Sequence, residues 1–257
     1  MVGPGRVLTA HYLVLGASSV EVTGLDGRAC PVESLALDHD SGLALLSAPV
    51  AALPPATLAP EVELRPGDPV FLLTTTAENE RRGASGHVSF VGPFEAFWEW
   101  MLDRAIMTTI VNPGLAGGPL LDDRGRVAGI VSLGLAAVGR YSLAIPAALF
   151  ASRRALLESG EPMPAAERHA WVGFYPQANE DGVQVSGVVT GGPAEAAGLQ
   201  RGDLLVSVDG SPVQTLRQLY RALRRRAPGE RIGLQLLRDE AIQVLEVVAG
   251  DRYEFFR

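Results

Sequence analysis

Up to Pro146 the apolar residues fall in short runs, broken every few positions by Gly, Pro, Asp or Asn. Val7-Leu8-Thr9, Val20-Glu21-Val22-Thr23, Leu43-Ala44-Leu45-Leu46, Val70-Phe71-Leu72-Leu73, Gly86 to Val91, Val127-Ala128-Gly129-Ile130-Val131 and Tyr141 to Pro146 each read as a strand. Leu25-Asp26-Gly27-Arg28 and Asp122-Asp123-Arg124-Gly125 read as hairpin turns, and Pro-rich Ala48 to Pro60 as a connector. Many short strands with frequent turns predict an all-β barrel or sandwich. Between them, Gly92 to Asp103 gathers Phe94, Phe97, Trp98 and Trp100. Large rings are mostly buried, so the expectation is that they cap one end of a barrel; a partner surface is the alternative.

The pattern changes after Pro146. Ala147 to Ser159 reads as a helix stopped by Gly160 and Pro162, and Glu161 to Arg168 as a linker. From His169 a second set of elements begins. Val183 to Val185 and Val188-Val189 are strand-like, and Gly192 to Leu199 holds a short helix opened by proline and ended by glycine. Leu204 to Val208 is a strand between two turns. Thr215 caps a helix with Leu216, Leu219 and Leu223 on one face, and Ile232 to Leu237 and Gln243 to Val248 close the chain as two strands. The division is therefore 1–146, a helix and linker over 147–168, and 169–257.

Composition narrows the classes. The 257 residues suit one large domain or two smaller ones, and 47% hydrophobic residues supply a sizeable core. A net charge of −7 argues against a nucleic-acid partner. All basic residues are arginine, and Arg224 to Arg226 sit where a helix end welcomes positive charge. Cys30 is the single cysteine, so no internal disulfide forms. No His/Cys cluster has metal-ligand spacing, no phosphate loop is present, and no cofactor is implied. No run has the length of a membrane span, and the first residues lack the apolar segment of a signal peptide. As written the chain reads as cytoplasmic; an upstream leader would move it to the cell envelope.

The candidate chemistry lies in Asn112-Pro113-Gly114-Leu115-Ala116-Gly117-Gly118-Pro119-Leu120-Leu121. A Gly-rich turn before an apolar strand lets backbone N–H groups converge on one small space. This stretch resembles the nucleophile loop of the trypsin-like serine proteases in the HtrA/Deg version, which carries serine where this chain has Ala116. Val7 to Val14 resembles the segment of the catalytic histidine, which falls on Tyr12, and Asp38 to Leu46 the segment of the catalytic aspartate, which falls on Gly42. Tyr141 to Pro146 is similar to the family's substrate-pocket strand. The resemblance implies a double β-barrel, with the first barrel either truncated or beginning upstream, and a homo-oligomer.

Residues 169–257 are similar to a PDZ domain of the bacterial type, through the Pro-Ala-x-x-Ala-Gly-Leu-x-x-Gly-Asp pattern from Pro193 to Asp203. That resemblance places a carboxylate-binding loop at Trp171, Val172, Gly173 and Phe174, and puts Leu216 and Leu219 on the helix walling the peptide groove. Its backbone N–H groups would cradle a peptide C-terminus while the peptide adds a strand to the sheet edge.

The triad substitutions decide the expected chemistry. Acyl transfer by a serine triad needs a hydroxyl nucleophile, a base titrating near neutrality and a carboxylate to orient it. Ala116 has no hydroxyl, Gly42 no side chain, and a phenol such as Tyr12 titrates near pH ~10. Losing such a nucleophile costs about a million-fold in kcat. Gly114, Leu115 and Ala116 remain able to form an oxyanion-like pocket that holds a carbonyl or an anion. His11 is one residue from the histidine position, a shift that reverses side-chain direction in a strand. Asp38, Asp40, Ser132 and Ser142 find no complete triad around them. The expectation is a non-enzymatic, HtrA-like pseudoprotease that binds peptides or protein C-termini and regulates an active protease or serves protein quality control. The alternative is an active serine endopeptidase.

Overall fold

The computed structural model describes residues 1–50, 54–75, 80–111, 114, 116–135 and 141–256. They divide into two compact units, one of Met1–Phe94 with Leu102–Met163, the other of Glu95–Met101 with Pro164–Arg257.

The first unit starts with β1 (Arg6–Ala10), a single 3-10 turn at His11–Leu13, β2 (Glu21–Thr23), β3 (Ala29–Pro31), β4 (Ser34–Asp38) and β5 (Leu43–Ser47). Strand β5 is central in a three-stranded antiparallel sheet ordered β1-β5-β4, and β2 pairs β3 as a separate hairpin. Its central place explains why Leu43 to Leu46 is buried throughout. Then come β6 (Pro69–Thr75), β7 (Arg81–Ala96), β8 (Trp100–Thr108), β9 (Pro119–Leu121), β10 (Val127–Leu135) and β11 (Tyr141–Pro146), which close as a barrel in the order β10-β11-β8-β7-β6-β9. Strand β6 shows why the barrel forms: Val70 and Leu72 point into the core while Phe71 and Leu73 alternate outward. Helix α1 (Ala147–Glu158) packs on β4, β5, β10 and β11 with Phe150 fully buried, so it belongs to this unit.

The second unit contains β12 (Phe174–Asn179), β13 (Gly182–Val188), α2 (Pro193–Ala196), β14 (Leu204–Val208), β15 (Ser211–Pro212), α3 (Leu216–Leu223), β16 (Arg231–Arg238), β17 (Ala241–Val248) and α4 (Arg252–Phe255). The sheet runs β12-β13-β14-β16-β17, with β15 against β14, so β12 is an end strand. Thr215 caps α3 with a full capping box: its side chain accepts from Gln218 N–H, and Gln218 reaches back to the Thr215 N–H. Asp203, in the Gly-Asp turn, is buried and receives two hydrogen bonds of 2.6 Å from the Arg238 guanidinium, pinning that turn to β16.

The aromatic patch is divided between the two units. Phe94 falls in the first unit, whereas Phe97, Trp98 and Trp100 lie in the Glu95–Met101 segment of the second unit, around the turn that joins β7 to β8. Met101 joins the apolar core around Val172, Phe174, Leu219 and Tyr220, a burial that ties this segment to the second unit.

Candidate functional site

Two places in the chain carry the chemistry singled out by the sequence. In the first unit, β1 delivers its last residue to the turn holding His11 and Tyr12. His11 N–H donates to the Gly42 carbonyl at 2.8 Å, and Gly42 takes φ +75°, so the histidine-like and aspartate-like segments meet there. The Gly-rich loop closes on the same element. Gly117, at φ +87°, lies so near β1 that an added Cβ would stand 2.5 Å from Thr9 Oγ1 and 2.9 Å from Leu13 Cδ1. Gly117 N–H donates to Val131 O at 2.8 Å, and Val131 N–H to Gly118 O at 2.9 Å, which seats the loop on β10. Ala116 is half-buried in that turn and Gly114 is exposed at φ +77°, whereas Leu115 lies outside the described residues. Tyr12, Gly42 and the Ala116 loop are therefore brought together around His11–Leu13.

The hydrogen bonds there are structural in character. The Tyr12 hydroxyl donates to Ser132 O at 3.0 Å, and partial burial pushes the phenol above its ordinary value, so it holds its proton at neutral pH. Asp38, fully buried, accepts from Asp40 N–H, Ser41 N–H and Ser41 Oγ and pairs with Arg153 Nε at 2.9 Å. It staples a turn to α1. Ser142 Oγ donates to the Ile110 carbonyl. His11 and His39 contact edge to face with ring centroids 5.4 Å apart. Among the described residues no His, Cys, Asp and Glu group could hold a metal ion.

In the second unit the N–H groups of Val172, Gly173 and Phe174 converge, as the sequence leads one to expect of a carboxylate-binding loop. They converge on a carboxylate of the chain itself. Glu99 Oε1 accepts from Gly173 N–H at 2.7 Å and Phe174 N–H at 3.1 Å, and Oε2 accepts from Val172 N–H at 3.1 Å. Gly173 takes φ +81°, and a Cβ there would press on the Trp171 ring at 3.0 Å. Burial pushes the Glu99 carboxyl above its ordinary value, against the Arg252 charge and the three N–H donors. Arg252 also donates to the Trp98 and Glu99 carbonyls at 2.6 and 2.8 Å. Trp171 is buried beneath Phe255 and Phe256. On α3, Leu216 is partly buried and Leu219 fully buried in the core, so Leu219 presents no open groove wall. Glu99 is the residue that sequence reasoning missed; a lone acid between Trp98 and Trp100 carries no pattern that names its partner.

The trypsin-like peptidase domain family matches residues 1–130, and the PDZ domain family matches residues 171–248. The chain is 30% identical to a "Probable periplasmic serine endoprotease DegP-like" of Hahella chejuensis over 96% of its length and 56% of that relative. It is 29% identical to the "Putative serine protease HhoA" of Synechocystis over 92% of its length and 65% of that relative. The chain thus spans between half and two thirds of the curated relatives it matches. Among solved structures it is similar to "HtrA-type protease AlgW with decapeptide", with 25% identity and a TM-score of 0.62 over 98% of this chain and 81% of that one. Mostly β, with a trypsin-like domain followed by a PDZ domain, this chain belongs to the trypsin-like peptidase family in its HtrA/DegP-type form.

Proposed function

We propose that this chain is a non-catalytic member of its family, which binds peptides or protein C-termini through its PDZ domain and either regulates an active protease of the same type or serves protein quality control. The observation that carries the reading is Ala116 in the Gly-rich turn, a methyl group where the resemblance calls for a nucleophilic hydroxyl. Tyr12 supports it, because a phenol that keeps its proton and donates it to Ser132 O is no general base. Gly42 offers no carboxylate. Peptide binding draws on the PDZ match and on the peptide-bound HtrA-type structures that this chain resembles. The periplasmic names of its relatives favour a cell-envelope setting, and among the described residues no helix is long and apolar enough to cross a membrane.

The test is digestion of an unfolded protein by the purified chain. No cleavage above background is expected. Cleavage that Ala116→Gly leaves unchanged would place an active site elsewhere and end this reading. The second reading, an active serine endopeptidase, is favoured by the names of the relatives. It requires covalent labelling by a serine-directed fluorophosphonate, and absence of labelling removes it.

A further inference from the structure

We infer that the carboxylate-binding loop of the PDZ domain has an internal ligand, the side-chain carboxylate of Glu99, and that an external C-terminus binds only by displacing it. This rests on the peptide-binding reading above and adds how that site is regulated.

Three observations point the same way. First, Glu99 meets the loop as a chain terminus would: both oxygens are used, by three successive N–H groups. Second, the rest of its segment lies along α3, the helix expected to wall the groove. Arg217 pairs with Glu95, the Tyr220 hydroxyl donates to the Ala96 carbonyl, and Arg224 donates to the Met101 carbonyl at 3.2 Å. These side chains recur at the helical spacing that shares one face. The segment therefore engages both the loop and the helix. Third, Glu99 adopts φ +56°. That left-handed conformation favours Gly, Asn or Asp, and a longer side chain held there is strained. Glycine would relieve the strain but would leave the loop's donors without this acceptor.

The arrangement limits which ligands enter. A competitor must carry a free carboxylate to satisfy the same N–H groups and must also displace Glu95–Met101 from α3. The apparent affinity of such a peptide is lowered by the fraction of molecules in which Glu99 is seated.

Glu99→Gly in the full chain is the direct test, since glycine accepts φ +56° and keeps the turn. Glu99→Gln keeps the size and removes the charge. The probe is a fluorescent peptide mixture with randomised last residues and a free carboxylate, run beside its amidated form. Amide hydrogen exchange at Val172, Gly173 and Phe174 is followed in parallel. The expected result is exchange at those amides at least tenfold faster in Glu99→Gly, with peptide affinity raised about tenfold or more and lost on amidation. Glu99→Gln falls between the two. Unchanged exchange overturns the internal ligand, even if both proteins bind the free-carboxylate peptide equally well; in that case the peptide-binding reading stands alone. Faster exchange without carboxylate-dependent binding in either protein upholds the internal ligand and ends the C-terminus reading.

Discussion

Gly117 has no room for a side chain: the Thr9 hydroxyl lies 2.5 Å from where a Cβ would go, and φ +87° strains any other residue. Gly117→Ala is expected to cost about 2 kcal/mol, read as a fall in thermal midpoint of several degrees. At the neighbouring Ala116, the proposed non-catalytic reading predicts that a hydroxyl alone does not create a nucleophile. Ala116→Ser is expected to remain unlabelled by a fluorophosphonate at neutral pH, because Tyr12 does not take up the proton; labelling would show that another group serves as base. Tyr12, Gly42 and Ala116, the positions that the family resemblance assigns to a triad, could be picked out in the sequence because each sits at a fixed offset inside a run of ordinary strand and turn residues. Glu99 was not legible. Its partners lie more than seventy positions away, and nothing local distinguishes it from a solvated acid.

At the scale of elements, polar staples hold ends that apolar packing leaves loose. The turn after β9 is tied by Asp122, which accepts from Arg124 N–H and Arg126 N–H and pairs with the Arg126 guanidinium at 2.8 Å. Burial works against its ionisation, but these donors outweigh it and hold the carboxyl below its ordinary value. A depressed carboxyl stabilises the fold above the unfolded value of about 4, and that contribution is lost as pH falls through the folded value. The stability gap between the wild-type chain and Asp122→Asn, measured by urea unfolding, is therefore expected to be widest near neutrality and to shrink below about pH 4. Thr215→Ala removes half of the capping box on α3 and is expected to cost about 1 kcal/mol by the same measurement. Thr215 and the Asp122 turn were readable from sequence because capping and turn chemistry are local. Strand β7 was only partly readable. Gly86 to Val91 was predicted, whereas the strand runs from Arg81 to Ala96, since Arg81, Arg82 and Gly83 look like a loop until their pairing with Thr75, Thr74 and Leu73 is known.

At the scale of the whole molecule, the second unit is discontinuous in sequence. The motif from Pro193 to Asp203 and the strands around it pointed to a domain beginning near His169, and the structure builds that domain from Pro164 onward plus seven residues borrowed from Glu95–Met101. No pattern within 164–257 reveals the missing piece, because a core that lacks one apolar side chain still shows ordinary strand and helix periodicity. A fragment of residues 164–257 would lack Met101 in its core and the acceptor for the Tyr220 hydroxyl. It is expected to melt at least about 5 °C below the same unit in the full chain, which differential scanning calorimetry would read.

The borrowed segment also sets an order of events at the ribosome. Glu95–Met101 emerges well before Pro164, so Phe97, Trp98, Trp100 and Met101 leave the tunnel without the sheet and helix that later enclose part of them. Until α3 is made, that stretch of the nascent chain lacks the helix along which it later lies. The contact between Tyr220 and Ala96 spans 124 residues, so its closure comes late and non-local loop entropy slows it. Maturation of the second unit therefore waits for the synthesis of β17, which runs to Val248.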